Sequence, residues 1–583
     1  MLSPGVYWQE RDFSSYVPNL NSTQFGMVGV ATKGPVNERK FISSIDQFTK
    51  MFGIPATNMY GVYAALEYLK EGNGLWYVRV QSGTTPAVTA TVSLAVIDGG
   101  SPIVVSAKDP GTYYNSVKLT VTHKMPANLL HTEVASPAGT SFTFSVANVP
   151  LAKSSITVTV GGDSVTDNGA GVLGADGNIT GGTVDYNTGE VVVNFTSSNS
   201  TDIVVTGKYY TGFDFSLSRT INGRDYVVAV HRNMVLSSQS PNYYVTLLTN
   251  SEYIQVPTLG TDFPLEQTLT FANGADGLSG IADADYIGTR TGSTATGLQL
   301  LAVPSEVDIN GIACPGITTN AVVQELVSIA EARRDCVAVI DTPNSLLPAD
   351  VVDWANGNNA YSAYAGVSSS YAAIYYPWTK ITDPYNSIEV FVPPSGFVAA
   401  AYARADRDAN YSSAPAGAVR GKMRGATGAA LLLNQADRDL VYSNRINPVT
   451  DFAVHGLLIF GQKTAQTFPS ALDRVGTRRM LIRVEKSIVT AMIPFVFEPH
   501  NQRTWTQIRQ TIDPYLESRK QSGDLYEYRV VVGETNNPPA EIDQNRLHVD
   551  IFLKPTRYAE EIVLSFNVLN TGADIDEYVS SVR

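Results

Sequence analysis

Cysteine and histidine are both scarce in this chain of 583 residues, with two of the first and six of the second. Cys314 and Cys336 are too few for a disulfide framework or a thiolate metal site, and they suit small buried hydrophobes in a protein kept in a reducing cytoplasm. The histidines, His123, His131, His231, His455, His500 and His548, are scattered, with no pair at metal-ligand spacing on one element. Positive charge is short as well. Lys and Arg number 41 against 54 Asp and Glu, a formal charge of −13, which argues against direct binding to nucleic-acid phosphates. No apolar run approaches the ~18 residues of a membrane span. The start, Met1-Leu2-Ser3-Pro4-Gly5, has no basic region leading into an apolar one, so neither a signal peptide nor membrane insertion is expected.

What is present is an ordinary globular composition, 44% hydrophobic and 16% charged, with length for about four domains at roughly 150 residues each. No Arg occurs between Arg79 and Arg219, and this stretch is rich in Thr, Ser, Val and Gly. Runs such as Ile156 to Val160 and Glu190 to Phe195 are β-branched and bounded by Gly-Gly, Asp-Asn-Gly and Asn-Thr-Gly turns. The pattern predicts a small β-sandwich over 136–210, nested in a further β-rich unit with flanking strands at Lys118 to Val121 and Tyr226 to Val230.

After Phe271 the pattern becomes βαβ. A strand is expected at Gln299 to Val303, an Asn320-capped helix to Arg333, and a return strand at Cys336 to Ile340. Further on, Trp505, Ile508, Ile512 and Leu516 recur at helical spacing, with Asn501 or Thr504 as cap and Gly523 as stop. Pro514 inside that pattern costs ~3 kcal/mol in a straight helix, so a kink or two short helices are expected. Leu547, Val549, Ile551 and Leu553, then Ile562, Leu564, Phe566 and Val568, alternate as strands that bury one face each. The Pro538-Pro539 pair keeps the preceding segment a loop.

Motifs for catalysis are weak. Ala416 to Met423 approaches a phosphate-binding loop but has Ala416 in place of the first glycine and Met423 in place of the Mg²⁺-binding hydroxyl. Asp406 and Asp408, interleaved with Arg404 and Arg407, read first as a solvated or interface charge cluster. No catalytic, cofactor-binding or metal-ligating residue is assigned, and no cofactor is expected.

Several segments, in order along the chain, resemble one family. Ser3-Pro4-Gly5-Val6-Tyr7 with Gln9-Glu10, Gly29 to Asn37, and Phe41 to Gly53 are similar to the opening of contractile tail sheath proteins. Ala107-Lys108-Asp109-Pro110-Gly111, Asn115 and Ser240-Pro241-Asn242-Tyr243 resemble that family's outer β-domain, and Tyr375-Tyr376-Pro377-Trp378 and Val392 to Gly396 its central domain. Arg483 to Ile488, Phe497-Glu498-Pro499-His500-Asn501 and Thr535 to Pro539 with Ile542-Asp543 resemble its C-terminal domain. Phe460-Gly461-Gln462-Lys463-Thr464 departs from the family's Trp-Gly-Ala-Arg-Thr-like stretch.

The resemblance implies a mixed α/β and α+β multidomain fold with inserted all-β outer domains and extended terminal arms. The expected division is an arm at 1–20, a central α/β domain at 21–83 plus 271–394, an outer β-rich domain at 84–135 plus 211–270, the sandwich at 136–210, a tube-facing α+β domain at 395–569 and an arm at 570–583. It further implies a structural subunit of a virion tail, assembled in the host cytoplasm. Its partners would be further copies in stacked helical rings, the tail tube protein, and baseplate and tail terminator proteins. Val6, Tyr7, Trp8, Gln9 and Glu10 are the candidate inter-subunit strand, with an edge strand of the same subunit as alternative. Arg509, Asp513, Glu517 and Lys520 are candidates for the tube contact, and a plain solvated helix face is the other reading. An α/β enzyme with β-rich accessory domains, or the sheath of a genome-free injection machine, are the alternative functions.

Overall fold

The computed structural model describes residues 24–97, 100–124, 127–133, 139–221, 223–258, 262–408 and 412–561. Both arms, including Val6 to Glu10, and the expected strand Ile562 to Val568 lie outside the described residues.

An eight-stranded sheet organises the centre, in the order Arg39–Ile42, Leu75–Arg79, Phe25–Gly29, Gly311–Ala313, Val337–Asp341, Ala372–Tyr376, Ile446–Phe452, Gly456–Ile459. The inner pairings are parallel and both edge pairings antiparallel. Strands such as Phe25–Gly29, Val337–Asp341 and Ala372–Tyr376 are buried at every position. A sheet covered on both faces demands such unbroken apolar runs. The Asn320–Arg333 helix is the crossover between Gly311–Ala313 and its parallel neighbour Val337–Asp341.

Two details of that unit differ from expectation. Residues Gly297–Leu301 form a 3₁₀ helix rather than a strand. Leu298, Leu300 and Leu301 are all buried, so the segment lacks the alternation that would separate a strand from a buried turn. The helix starts from Thr319 in the cap position, and Asn320 is its first helical residue. The Thr319 hydroxyl donates to the Asp283 carboxylate at 2.9 Å instead of capping the helix.

The outer unit is an insertion between Leu75–Arg79 and the central residues after 277, and its own two crossings pair with each other: Ser82 N–H donates to Gly277 O at 2.7 Å, and Val88 bridges Ala275. Val117–His123 and Phe213–Ile221 are antiparallel neighbours, with His123 opposite Phe213. A second insertion emerges from that paired end. It folds as two four-stranded sheets, Asp163–Thr166, Thr157–Val160, Ile203–Tyr209, Ala127–Glu133 and Val172–Leu173, Ile179–Val184, Glu190–Asn199, Gly139–Ser145. Ala127–Glu133 already belongs to this pair, ahead of the expected start at 136. The flanking strands extend to Val117–His123 and Arg224–Met234.

The expected division at 394/395 falls inside the central core. The Ser395–Asp408 helix is buried from Ser395 to Ala405, and the core continues to Val475. Among the arginines of this region, Arg404, Arg479 and Arg483 form buried ion pairs. A separate apolar cluster, from Met480 to Leu525, forms the C-terminal unit.

Candidate functional site

The C-terminal unit is built on two helices. Val475–Met492 was not foreseen, although Met480, Val484, Ile488 and Ala491 stand at three-and-four spacing and bury one stripe. Gln502–Gln521 is capped by Asn501, whose Oδ1 accepts from Thr504 N–H at 3.1 Å. Of the two expected outcomes, a kink or two short helices, the second does not occur, since the helix is continuous across Pro514. Ile512, Tyr515 and Leu516 flank the proline and are buried, and at about 1.5–3 kcal/mol per fully buried large side chain their packing outweighs a cost of ~3 kcal/mol.

The four charged candidates on this helix have different surroundings. Arg509 and Lys520 are exposed, while Asp513 and Glu517 are half-buried. Arg509 Nη2 donates to the Val532 carbonyl at 3.0 Å, and the Tyr528 hydroxyl donates to the Asp513 carbonyl at 3.2 Å. Burial raises the Asp513 carboxyl, with Arg509 opposing the shift. Burial and then Glu517 raise the Tyr528 phenol. The face is therefore partly engaged with the strand Leu525–Val531.

That strand pairs antiparallel with Asp550–Pro555, and among the described residues the sheet has two strands. Ile551 and Leu553 pack on the C-terminal cluster with Leu547 and Val549, as their alternation predicts, while Tyr526 and Phe552 are exposed. The Asn536-Asn537 pair ties the loop to the sheet. Asn537 is buried; its Oδ1 accepts from His548 N–H at 2.7 Å and its Nδ2 donates to His548 O at 2.9 Å. Asn536 Nδ2 donates to Val531 O at 2.9 Å.

The junction with the central core is ionic and buried. Asp406 is not solvated: its side chain is 5% exposed, it accepts from Arg479 Nη2 at 2.6 Å, and it also pairs with Arg483. Spacing alone hides this, because the two arginines come from a helix more than seventy residues later. Asp524, fully buried, accepts from Ser412 N–H at 3.1 Å and from its hydroxyl at 2.7 Å. Asp408 does remain exposed and binds Arg407 Nε at 2.7 Å. The loop resembling a phosphate cradle is a short helix, Gly417–Arg420, followed by carbonyls of Arg420 and Lys422 that accept from Arg404 Nη1 at 3.0 and 2.8 Å. In the departing stretch, Phe460 is exposed, Gln462 Nε2 donates to Glu560 at 3.2 Å, and Lys463 Nζ donates to Tyr442 O at 2.8 Å. Among the described residues no group of three or more His, Cys, Asp or Glu could hold a metal ion.

Residues 291–465 match the phage tail sheath protein central domain, and residues 467–568 match the phage tail sheath C-terminal domain. The second half of the chain thus resembles two consecutive domains of phage tail sheath proteins. The tail sheath protein of Vibrio phage KVP40 is 25% identical over 686 aligned residues, covering 99% of this chain and all of that protein. The tail sheath protein of Enterobacteria phage T4 is 33% identical over 269 residues, 45% of this chain and 41% of its own length. The sheath tail protein of Desulfitobacterium hafniense shares the fold, with a TM-score of 0.54 at 12% identity over 91% of this chain and 94% of that one. The passage from one matched domain to the other at 465–467 lies next to the end of the central core.

Proposed function

We propose that this chain is the repeating subunit of a contractile tail sheath, which polymerises helically around an inner tail tube and contracts to drive that tube through the host envelope. The observation that carries the reading is the pair of consecutive sheath domains spanning 291–568. It is a structural part, not an enzyme; it acts in the virion tail after assembly in the host cytoplasm, with the tube, baseplate and tail terminator as partners. No cofactor is required, because the energy of contraction is the difference between two packings of the same subunits.

Residues 1–20, with Val6 to Glu10 as their strand, and 570–583 act as the arms that link neighbours. The sheet of Leu525–Val531 and Asp550–Pro555 supports this assignment. Its strand edges offer backbone N–H and C=O groups to an added strand, which in turn satisfies its own. The segments 21–83 plus 271–394, 84–135 plus 211–270 and 395–569 serve as central, outer and tube-facing parts, the last sharing its first eighty residues with the central core. Arg509, Asp513, Glu517 and Lys520 meet the tube, with Arg509 and Lys520 as the accessible pair.

Negative-stain electron microscopy of the purified chain, alone and mixed with tail tubes, tests the assembly. Hollow helical tubes that disappear when residues 1–20 are deleted are expected; discrete, arm-independent monomers would overturn the reading. Charge reversal at Arg509 and Lys520 is expected to abolish co-sedimentation with tubes, and intact binding would return this face to plain solvent.

A further inference from the structure

Three buried arginines of the central core account for their charge within the chain. Arg79 donates to the carbonyls of Gly34 at 2.7 Å and Pro110 at 2.6 Å, Arg333 pairs with Asp335 at 2.8 Å, and Arg404 pairs with Glu71 at 3.0 Å. Arg219 is handled differently. It stands on the outer strand Phe213–Ile221, donates from Nε to the Ser116 hydroxyl at 2.9 Å, and holds its guanidinium carbon 4.3 Å from the centre of the Tyr113 ring. Among the described residues its two Nη groups have no hydrogen-bond partner and no carboxylate pairs with it.

The same ring carries a second cation. Lys33, 2% exposed, brings its ammonium 3.9 Å from the ring centre, and among the described residues it too has no carboxylate partner. Burial lowers this ammonium to about 8, Arg219 pushes it the same way, and Asp109 opposes them. The ring attracts both cations, but they repel each other, and a negative charge beside them is what the arrangement lacks.

Arg219 and Tyr113 border a cleft of 590 Å³ between the outer unit and the central core, and among the described residues no Asp or Glu lines it. The nearby carboxylates are already used: Asp276 accepts from Thr112 N–H at 2.6 Å and from its hydroxyl at 2.7 Å, and Asp383 accepts from the Tyr63 hydroxyl at 2.7 Å. Asn58 and Asn344 bring amide groups to the cleft, while Ile388 and Phe391, 51% and 45% exposed, give it an apolar side. The two units are fixed closely where they meet. Tyr113 N–H donates to Thr32 O at 3.2 Å, and Gly111, with a φ of 143°, stands where a Cβ would lie 2.0 Å from that same oxygen.

We propose that this cleft binds a small organic anion, a carboxylate or phosphate head on an apolar body, with the Arg219 guanidinium holding the head and Ile388 and Phe391 receiving the body. A planar guanidinium with two unused Nη groups matches the paired oxygens of such a head. The volume is that of small-molecule sites, and the bound anion offsets the repulsion between Arg219 and Lys33. The proposal goes beyond the sheath reading and does not rest on it, since every contact lies within one chain.

Calorimetric titration of the full-length chain with phenylacetate and with phenyl phosphate tests it, with phenylacetamide as the uncharged match. Both anions are expected to bind saturably at one site per chain, and phenylacetamide at least about tenfold more weakly. Arg219→Gln is expected to abolish that preference for the anions. Phe391→Ala, a change at a half-exposed position that leaves the fold intact, is expected to weaken both anions about threefold. Phenylacetamide binding as tightly as phenylacetate, anion binding unchanged in an Arg219→Gln chain that melts normally, or no saturable heat at about 10 mM of either anion would overturn the proposal. Dissociation of self-associated chains by the anions, seen in sedimentation velocity, would overturn it too, by making a carboxylate of a second copy the natural occupant.

Discussion

Asp341 and Asp406 show how differently two enclosed carboxylates are handled. Asp341 ends the strand Val337–Asp341 and accepts from Ser395 N–H at 2.9 Å, the Ser395 hydroxyl at 2.7 Å and Gly316 N–H at 3.1 Å, so it holds the start of the Ser395–Asp408 helix. Among the described residues no cation pairs with it, and burial pushes its carboxyl up to about 6 against the hydrogen bonds that oppose the shift. Because the folded value lies above the ordinary 3.8, the stabilising state is the protonated one. The fold gains from this group as pH falls from above 6 towards 4, by on the order of 3 kcal/mol. Urea midpoints at pH 7 and pH 5 are expected to rise on acidification, and Asp341→Asn is expected to remove that part of the rise. Asp406 is balanced by Arg479 and Arg483, both nearly enclosed. Asp406→Ala leaves two buried guanidinium groups without it and is expected to cost ~3–5 kcal/mol, read as a lowered thermal midpoint.

Elements succeed or fail by how they are covered. The Gln502–Gln521 helix was legible from the Trp505, Ile508, Ile512, Leu516 stripe and the Asn501 cap, since cap and stripe are local patterns. Asn501→Ala is expected to lower stability by about 1 kcal/mol in denaturant titration. Pro514 did not divide the helix in two, because the residues on either side of it are buried. The contact of Tyr60–Leu69 with Ser395–Asp408 was not legible at all. Gly396 lies where a Cβ would stand 2.5 Å from Ala64 Cα and 2.8 Å from its carbonyl, so the helices meet backbone to backbone. Gly396→Ala is expected to part them at a cost of about 1–3 kcal/mol, seen as a lower denaturation midpoint. The Gly297–Leu301 turn failed for a related reason: a five-residue apolar run reads alike as strand or buried turn until its neighbours are known.

For the whole molecule, nesting explains how the chain carries an added sandwich. Each insertion leaves and returns through hydrogen-bonded neighbours, and at the inner one Lys124 N–H donates to Gly212 O at 2.9 Å. Replacing residues 127–209 by a short Gly-Ser link is therefore expected to leave the melting of the central core within about 3 °C, because distant and independently packed parts contribute additively. Calorimetry of the shortened chain checks this, and tube formation in the microscope checks that the sandwich is an outer addition.

From the residues in order came the mixed architecture, the β-rich middle, the βαβ crossover ending at Arg333, and the resemblance to tail sheath proteins. These rest on local periodicity, turn chemistry and short motifs, which a single strand of text preserves. The tertiary structure alone decided that the central core runs past 394 to Val475, that Asp406 is enclosed by arginines from another helix, and that three guanidinium groups meet on Glu71. Each depends on residues tens to hundreds of positions apart being brought within a few ångströms. Charge and burial act through space, so their balance exists only once the chain is folded.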